Sequence, residues 1–559
     1  KIQAFGKYFS IIEEKNKAFC KFTGKIMHNN VNIDFSLSIE IRRNEPGLGF
    51  HFWFSPHSDI YIRLLASVLP PLGKGWMINL YPWAAGAGSL IRNDLNYVGV
   101  PAALIYSENS SLGLLYAIDY KFDYSHPGTW RGSIGILFNE NLPPTFTVGQ
   151  VETRVPAKAV RELPVQLFFT DTTDKAEMVI NLVNSWRTWN KYHFPTPRKV
   201  MNTREAVRIM LEGRRKNIPY IKGRGYIIDP HRAKYMGIYI TSISMNAYCD
   251  YKIFEKTEDI FWRDRAFEQA DFLVTLQIKD GPNKGAWPPV CKNYGREVGF
   301  YDSRTYEVDC VAMCARYLLL LYDEVKRKEG IDKAEWKNAS VLALDWVCNK
   351  QMNNGAIPAF VNADTGEPEV PQSKFAWGEY TETEKKQLYI TPGRVLLALQ
   401  DAYRLTKINR YFVAMRKAEE WVLKNNLSKL RFTGGHPDLP PCEIEESNLY
   451  RLAEYWVKRY ESEKDERFLV LAKAVIYLGF LSQCPKQLPW VENPTAGGAT
   501  EQQHYLQYSV YSYNGMKYWV LRRIAELTKE RFFNEWYELL KNHFFFTLIT
   551  SGPYYGGVY

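Results

Sequence analysis

A pattern recurs down the second half of this chain: an apolar helical stripe, a Gln or Asn, a glycine-containing turn, aromatic or proline residues, then another stripe. The two clearest copies are Asp271-Phe272-Leu273 with Gln277, Gly281 and Trp287-Pro288, and Asp345-Trp346-Val347 with Gln351, Gly355 and Ile357-Pro358. Acid and glutamine are six positions apart in both, and the copies begin 74 residues apart. A weaker copy, Glu420-Trp421-Val422 before Asn426, follows 75 residues on, and a fourth ends near Gln483. A helix pair cannot bury its apolar face alone, so such units stack, and in enzymes they often close into a ring.

What precedes the repeats is different in kind. In residues 1–180, Ile33, Phe35, Leu37, Ile39 and Ile41 alternate with Asp34, Ser36, Ser38 and Glu40, the period of a strand with one buried face. Similar short runs at 113–119, 132–138 and 165–170 are separated by Gly, Pro, Asn and Ser, which predicts an antiparallel β-sandwich. The period becomes helical at Ala176, and residues 181–200, with Pro195 and Pro197, read as a helical linker. Residues 201–559 then carry eleven expected helices, at 203–215, 236–253, 262–278, 306–328, 335–351, 392–405, 411–425, 447–462, 466–482, 503–528 and 531–546. The fold class is therefore multidomain β plus all-α, a β-sandwich followed by an (α/α) toroid of about five to six helix pairs.

This two-part organisation, together with the turn Gly285-Ala286-Trp287-Pro288, resembles carbohydrate-active enzymes that place a β-sandwich before an (α/α) toroid. These are the glycoside hydrolases of the glucoamylase-like kind and the glucuronyl C5-epimerases, which carry a G-x-W-P turn. The resemblance implies a saccharide substrate held by the segments that lead into the inner helices.

Composition agrees in part. The 37 Tyr and 16 Trp exceed ordinary core needs, and flat rings stack on sugars, although a large core also absorbs rings. The net charge of +10 contains no run of Lys and Arg that would mark a nucleic-acid arm, and it favours an acidic saccharide. Cys310 and Cys314, four apart among Val311, Ala312 and Met313, read as core rather than metal ligands. No apolar stretch suits a membrane span, and no P-loop, dinucleotide turn or H-E-x-x-H is present, so no cofactor is expected. Lys1 carries no leader before it, which reads as a processed or trimmed start, and an extracellular or cell-surface setting suits the substrate.

Five polar and aromatic segments follow the turns. The first, 225–232, ends in His231 and Arg232, which are substrate-binding candidates, whereas Asp229 before Pro230 reads as a cap. The second, 301–309, is the densest in ionisable groups: Asp302 and Glu307 are candidate catalytic carboxyls, and Arg304 and Tyr306 candidate binding groups. A helix starting near Ser303 would put Tyr306 and Asp309 on one face. The third, 377–386, sets the candidate acid Glu379 between Trp377 and Tyr380, where desolvation raises a carboxyl pKa. The fourth, 433–446, offers Glu443 with His436, and Glu445 on the same side of an extended chain. The fifth, 497–505, offers Glu501, His504 and Tyr505 after a glycine pair. Trp287 is a further candidate platform for a sugar ring.

Glycosidic hydrolysis needs one protonated and one ionised carboxyl group, and these segments supply several. A uronate lyase or C5-epimerase would instead use a His or Tyr base beside an Arg, and a non-catalytic carbohydrate-binding protein would need the platforms alone.

Overall fold

The computed structural model describes residues 3–28, 31–45, 47–62, 67–68, 76–81, 90–94, 102–107, 113–117, 131–139, 142–151, 153–155, 157–158, 161–170, 172–189, 191–194, 201–218, 220–226, 240–288, 305–369, 389–428, 430, 432, 446–480, 499–500, 510–511, 515–548 and 550–551. Its helices are α1 (Lys175–Trp189), α2 (Thr203–Lys216), α3 (Ile240–Thr257), α4 (Ile260–Thr275), α5 (Val308–Glu329) and α6 (Ala334–Lys350). They continue with α7 (Gly393–Thr406), α8 (Asn409–Val422), α9 (Glu446–Glu463), α10 (Glu466–Phe480), α11 (Gly515–Thr528) and α12 (Arg531–Thr547). Contacts divide the chain into two compact units, Lys1–Lys199 with Lys473–Phe546, and Val200–Ala472 with Thr547–Tyr559.

The first unit holds an eight-stranded antiparallel sheet in the order Gln3–Glu14, Lys17–His28, Val31–Arg42, Gly47–Pro56, Arg161–Thr170, Gly113–Ala117, Ala102–Ser107, Trp76–Tyr81. A second sheet runs Ser67–Val68, Leu142–Val151, Arg131–Asn139, Leu90–Asp94. In Val31–Arg42 the expected sidedness holds at the start, where Asp34 is exposed between half-buried Ile33 and Phe35, and reverses at the end: Ser38 and Glu40 are buried, whereas Ile39 is half-buried and Ile41 is exposed. The reason is local. Glu40 accepts a 2.8 Å hydrogen bond from Arg42 Nε, and Arg42 also lies over the ring of Trp189. Gly49, paired with Glu40, leaves room for that ring, because a Cβ there would lie 3.0 Å from Trp189 Cζ2. A charge with its own partner and an aromatic lid can be buried where an unpaired one could not.

Helix α1 begins where Asp174 Oδ1 accepts from the amides of Ala176 and Glu177. Its apolar residues Met178, Val179, Leu182, Val183 and Trp186 are buried. Trp186, Tyr192 and Phe194 join Phe480, Phe532 and Trp536 in one aromatic cluster, with Arg187 3.7 Å above the Phe532 ring. Unit one thus draws its core from both ends of the sequence.

The second unit is helical and arranged in two rows. Helices α3, α5, α7 and α9 pack in succession as an inner row, while α4, α6 and α8 each pack on the preceding inner helix and on one another. The inner helix α5 is apolar almost all round, as a helix between two layers must be. The inner-to-outer turns are short and share one device: the residue just past the helix, Glu258, Gly330, Lys407 or Lys464, has a left-handed φ of 56 to 71°. Each closes the last turn through its amide, as in Lys407 N to Tyr403 O at 2.9 Å. Lys529, between α11 and α12 in the other unit, does the same.

The sequence repeat is the wiring between outer helices. Gln277 Nε2 donates to Gly285 O and to Ala339 O in α6; Gln351 Nε2 donates to Gly355 O and to Ala414 O in α8. Asp271 accepts from Trp336 Nε1 at 2.7 Å and Asp345 from the Tyr411 hydroxyl at 3.2 Å, both partners being third residues of the next outer helix. The glycine that corresponds to Gly355 is therefore Gly285 and not Gly281. Gly285 and Gly355 have φ of +97° and +92°, and a Cβ on either would meet a backbone oxygen, of Leu342 at 2.6 Å or Lys417 at 2.2 Å. Gly281 faces open space, in a turn four residues longer than its counterpart. In the third copy Asn426 is buried within a π-helical turn, Leu423–Leu427; Gln483 lies outside the described residues.

Candidate functional site at the amino ends of the inner helices

The connections returning to α3, α5, α7 and α9 are long, covering residues 217–239, 276–307, 351–392 and 423–445, whereas the outgoing turns have two to four residues. Four of the five predicted segments fall in these long returns, at the amino ends of neighbouring inner helices. The fifth precedes α11 in the other unit.

Two returns are tied together. Thr305–Glu307 pairs antiparallel with Phe360–Asn362, and Ile357–Pro358 with Tyr389–Ile390. Helix α5 consequently starts at Val308, not near Ser303, and Tyr306 stands on a strand opposite Val361 rather than on a helical face with Asp309. Tyr306 is buried, which pushes its hydroxyl pKa upward. Glu307, 6% exposed, accepts a 2.8 Å bond from the Cys310 thiol, and Asp309, 1% exposed, accepts from Arg394 Nη1 at 2.8 Å. That ion pair joins the first turns of α5 and α7. Burial, then the charges of Glu307 and Asp309, hold the Cys310 thiol well above its usual pKa, so it stays protonated. Ligand atoms of Glu307, Asp309 and Cys310 lie within 4.8 Å of one another, but the thiol proton and Arg394 already occupy what a cation would need. Cys314 is core, its pKa pushed up to about 12 mainly by burial.

Deeper lies a belt of charge. Tyr248, Arg316, Asp401 and Glu454 are each the ninth residue of α3, α5, α7 and α9, which places them about 12 Å below the helix starts. Arg316 Nε donates to Asp401 Oδ2 at 2.7 Å and its Nη2 to Glu454 Oε1 at 2.8 Å. Lys458 lies 3.2 Å from Asp401, and Arg451 Nη1 donates to Glu454 Oε2 at 2.7 Å. Arg451 Nη2 reaches the Tyr317 hydroxyl at 3.2 Å, and the Tyr317 ring lies 5.8 Å from that of Tyr248. Burial alone would raise both carboxyl pKa values; Arg316 foremost among the cations outweighs it and keeps Asp401 and Glu454 below the usual range. Both are therefore ionised.

None of the belt residues was a sequence candidate. The signal was an arginine in an otherwise apolar helix, Val311 to Leu321, at the same helical position as acids elsewhere. Of the predicted residues, Glu307 and Tyr306 are brought to the α5 start. Trp287 is 1% exposed, with its Nε1 donating to Leu273 O, so both ring faces are covered and it is a core residue rather than a sugar platform. Asp302, Glu379, Glu443, Glu501, His231, Arg232, Arg304, Trp377, Tyr380, His436, His504 and Tyr505 lie outside the described residues. Among the described residues part of the ring surplus is core: Trp287, Trp336, Trp456 and Trp536 are fully buried. Among the described residues no helix is long and apolar enough to cross a membrane.

Neither a protein-family model nor a curated protein matches the sequence. Among solved structures, the chain is similar to an alpha-mannanase of glycoside hydrolase family 76 from Bacteroides thetaiotaomicron, at 12% identity and a TM-score of 0.43, over 64% of this chain and 89% of that one. It is similar to a cellobiose 2-epimerase from Bacillus thermoamylovorans, at 12% and 0.45, over 64% and 89%. It is also similar to a polysaccharide lyase, at 10% and 0.46, over 99% and 87%. The neighbours are carbohydrate-active enzymes of several reaction types, and no one family is assigned.

Proposed function

We propose that this chain is a carbohydrate-active enzyme, a glycoside hydrolase whose acid and base are carboxyl groups of the long returns to the inner helices. The observation that carries the reading is sidedness. Short turns lead out of the inner helices and long returns lead into them, so four of the five chemically rich segments lie in sequence just before the amino ends of α3, α5, α7 and α9. Helix amino ends also favour anionic groups. Asp302, Glu379 and Glu443 are the carboxyls of these returns to test, with Glu501, from the segment before α11, assayed beside them and Glu307 held back by its burial. Release of reducing ends from a panel of polysaccharides checks this. Asp302→Asn, Glu379→Gln, Glu443→Gln and Glu501→Gln are assayed beside the parent, and two of them should lose about 10²–10⁴-fold in kcat. If no substrate yields reducing ends, hydrolysis is ruled out.

A second reading, a uronate lyase or C5-epimerase, is favoured by one feature, the excess of cations in the belt: Arg316, Arg451 and Lys458 face Asp401 and Glu454. A cation beside a uronate carboxylate stabilises the charge that develops when the C5 proton leaves. Elimination would appear as ultraviolet absorbance of the unsaturated product, epimerisation as deuterium uptake from solvent at C5.

A further inference from the structure

We propose that the Nε edge of Arg451 and the hydroxyl of Tyr317 form a subsite for the carboxylate of a uronic acid unit in the saccharide; this rests on the carbohydrate reading above but not on which reaction follows. Arg451 is 7% exposed. Its Nη1 is taken by Glu454 and its Nη2 by the Tyr317 oxygen, yet its buried Nε has no acceptor among the described residues. In a planar guanidinium Nε–H runs parallel to one of the two Nη2–H bonds, so a ligand at the open Nε edge lies beside the nitrogen that reaches Tyr317. The Tyr317 oxygen accepts from Arg451, and its own proton has no acceptor among the described residues. Two donors thus stand side by side with nothing to receive them. Buried donors are ordinarily satisfied, and an orphan calls for an absent partner.

The charge count says what that partner is. Four cations, Arg316, Arg451, Lys458 and the more exposed Arg404, meet two ionised carboxylates, leaving an excess of positive charge among the described residues of the belt. An edge-on guanidinium with a neighbouring O–H matches the two oxygens of a carboxylate, whereas a neutral hydroxymethyl group offers neither charge nor fork geometry. The place fits as well. Arg451 is the sixth residue of α9, three before the belt acid Glu454, and so on the side where the long returns arrive.

The test uses the full chain and pairs of glycans that differ at one group: polygalacturonate, alginate and a glucuronate-containing polysaccharide, each beside its carboxyl-reduced form, with affinities from calorimetry. The parent should bind at least one acidic member about tenfold or more tightly than its reduced twin. Arg451→Lys and Tyr317→Phe should each bring that ratio toward one by weakening the acidic member more than its reduced twin. Tyr317→Phe removes a single hydroxyl, so it guards against a folding defect in the arginine variant. Equal affinity for both members, or a ratio untouched by both variants, overturns the subsite while turnover of a neutral glycan would leave the enzymatic reading standing. No binding and no turnover of any saccharide would remove both.

Discussion

Gly355 and Gly281 have the same kind of backbone, with φ of +92° and +77°, but different surroundings. A methyl at Gly355 would collide with the Lys417 carbonyl, while one at Gly281 meets nothing within 4 Å. Gly355→Ala should therefore destabilise by about 3 kcal/mol or more and Gly281→Ala by about 1 kcal/mol, read from denaturant midpoints. Gln277 acts at the same scale. Gln277→Ala takes the donor from two buried carbonyls, and an expected loss of about 2–3 kcal/mol would show in the same experiment. The repeated Asp and Gln were visible in the sequence because their spacing is constant. The matching glycine was not, since a turn of four extra residues shifted it to Gly285, and only the shared hydrogen-bond pattern restores the correspondence.

Among elements, most helix positions were legible because apolar stripes of period 3.6 persist whatever the tertiary arrangement. The α5 start was misplaced: Tyr306 lies in a strand because Val361 pairs with it, a long-range partner that no local pattern announces. Likewise the covered face at residues 38–41 was misread, because there Trp189 and Arg42, and not the alternation, decide which side is covered. The belt carries a prediction at this scale. Asp401 and Glu454 have pKa values lowered on folding, so their contribution to stability is complete above about pH 5 and is lost progressively as pH falls from the ordinary carboxylate range near 4 down to their lowered folded-state values. Glu454→Gln should lower stability at pH 7 by about 3–5 kcal/mol and flatten the decline below pH 5, measured by urea titration at each pH. The left-handed turns give the opposite sign. Lys529 is held at φ +59°, and Lys529→Gly should stabilise by about 0.5–1 kcal/mol, since glycine adopts this conformation without a Cβ clash. An unchanged melting temperature would count against it.

For the molecule as a whole, the compact units do not follow the simple order of the chain, since residues 473–546 pack with 1–199. The shift in composition near residue 180 marks where strands give way to helices, but it cannot reveal which late helices share a core with early strands. Trp186, Tyr192 and Phe194 rest on Phe480, Phe532 and Trp536. A fragment of residues 1–199 should therefore expose these rings, bind a hydrophobic dye and lack a cooperative melt, whereas a fragment that melts sharply with no dye binding would refute this. The chemically rich returns were recognisable as polar, aromatic stretches, while the belt was not, because its members are far apart in sequence and meet only by sharing a depth.

The bonds that the acid and the glutamine of each copy make to a neighbouring outer helix point forward: Asp271 and Gln277 grip α6, and Asp345 and Gln351 grip α8. Injury to such an array has a direction. When Gln277 is lost, amide deuterium uptake should quicken in the outer helix that follows before it does in α3, so that the polarity of the chain becomes readable as a polarity of loosening.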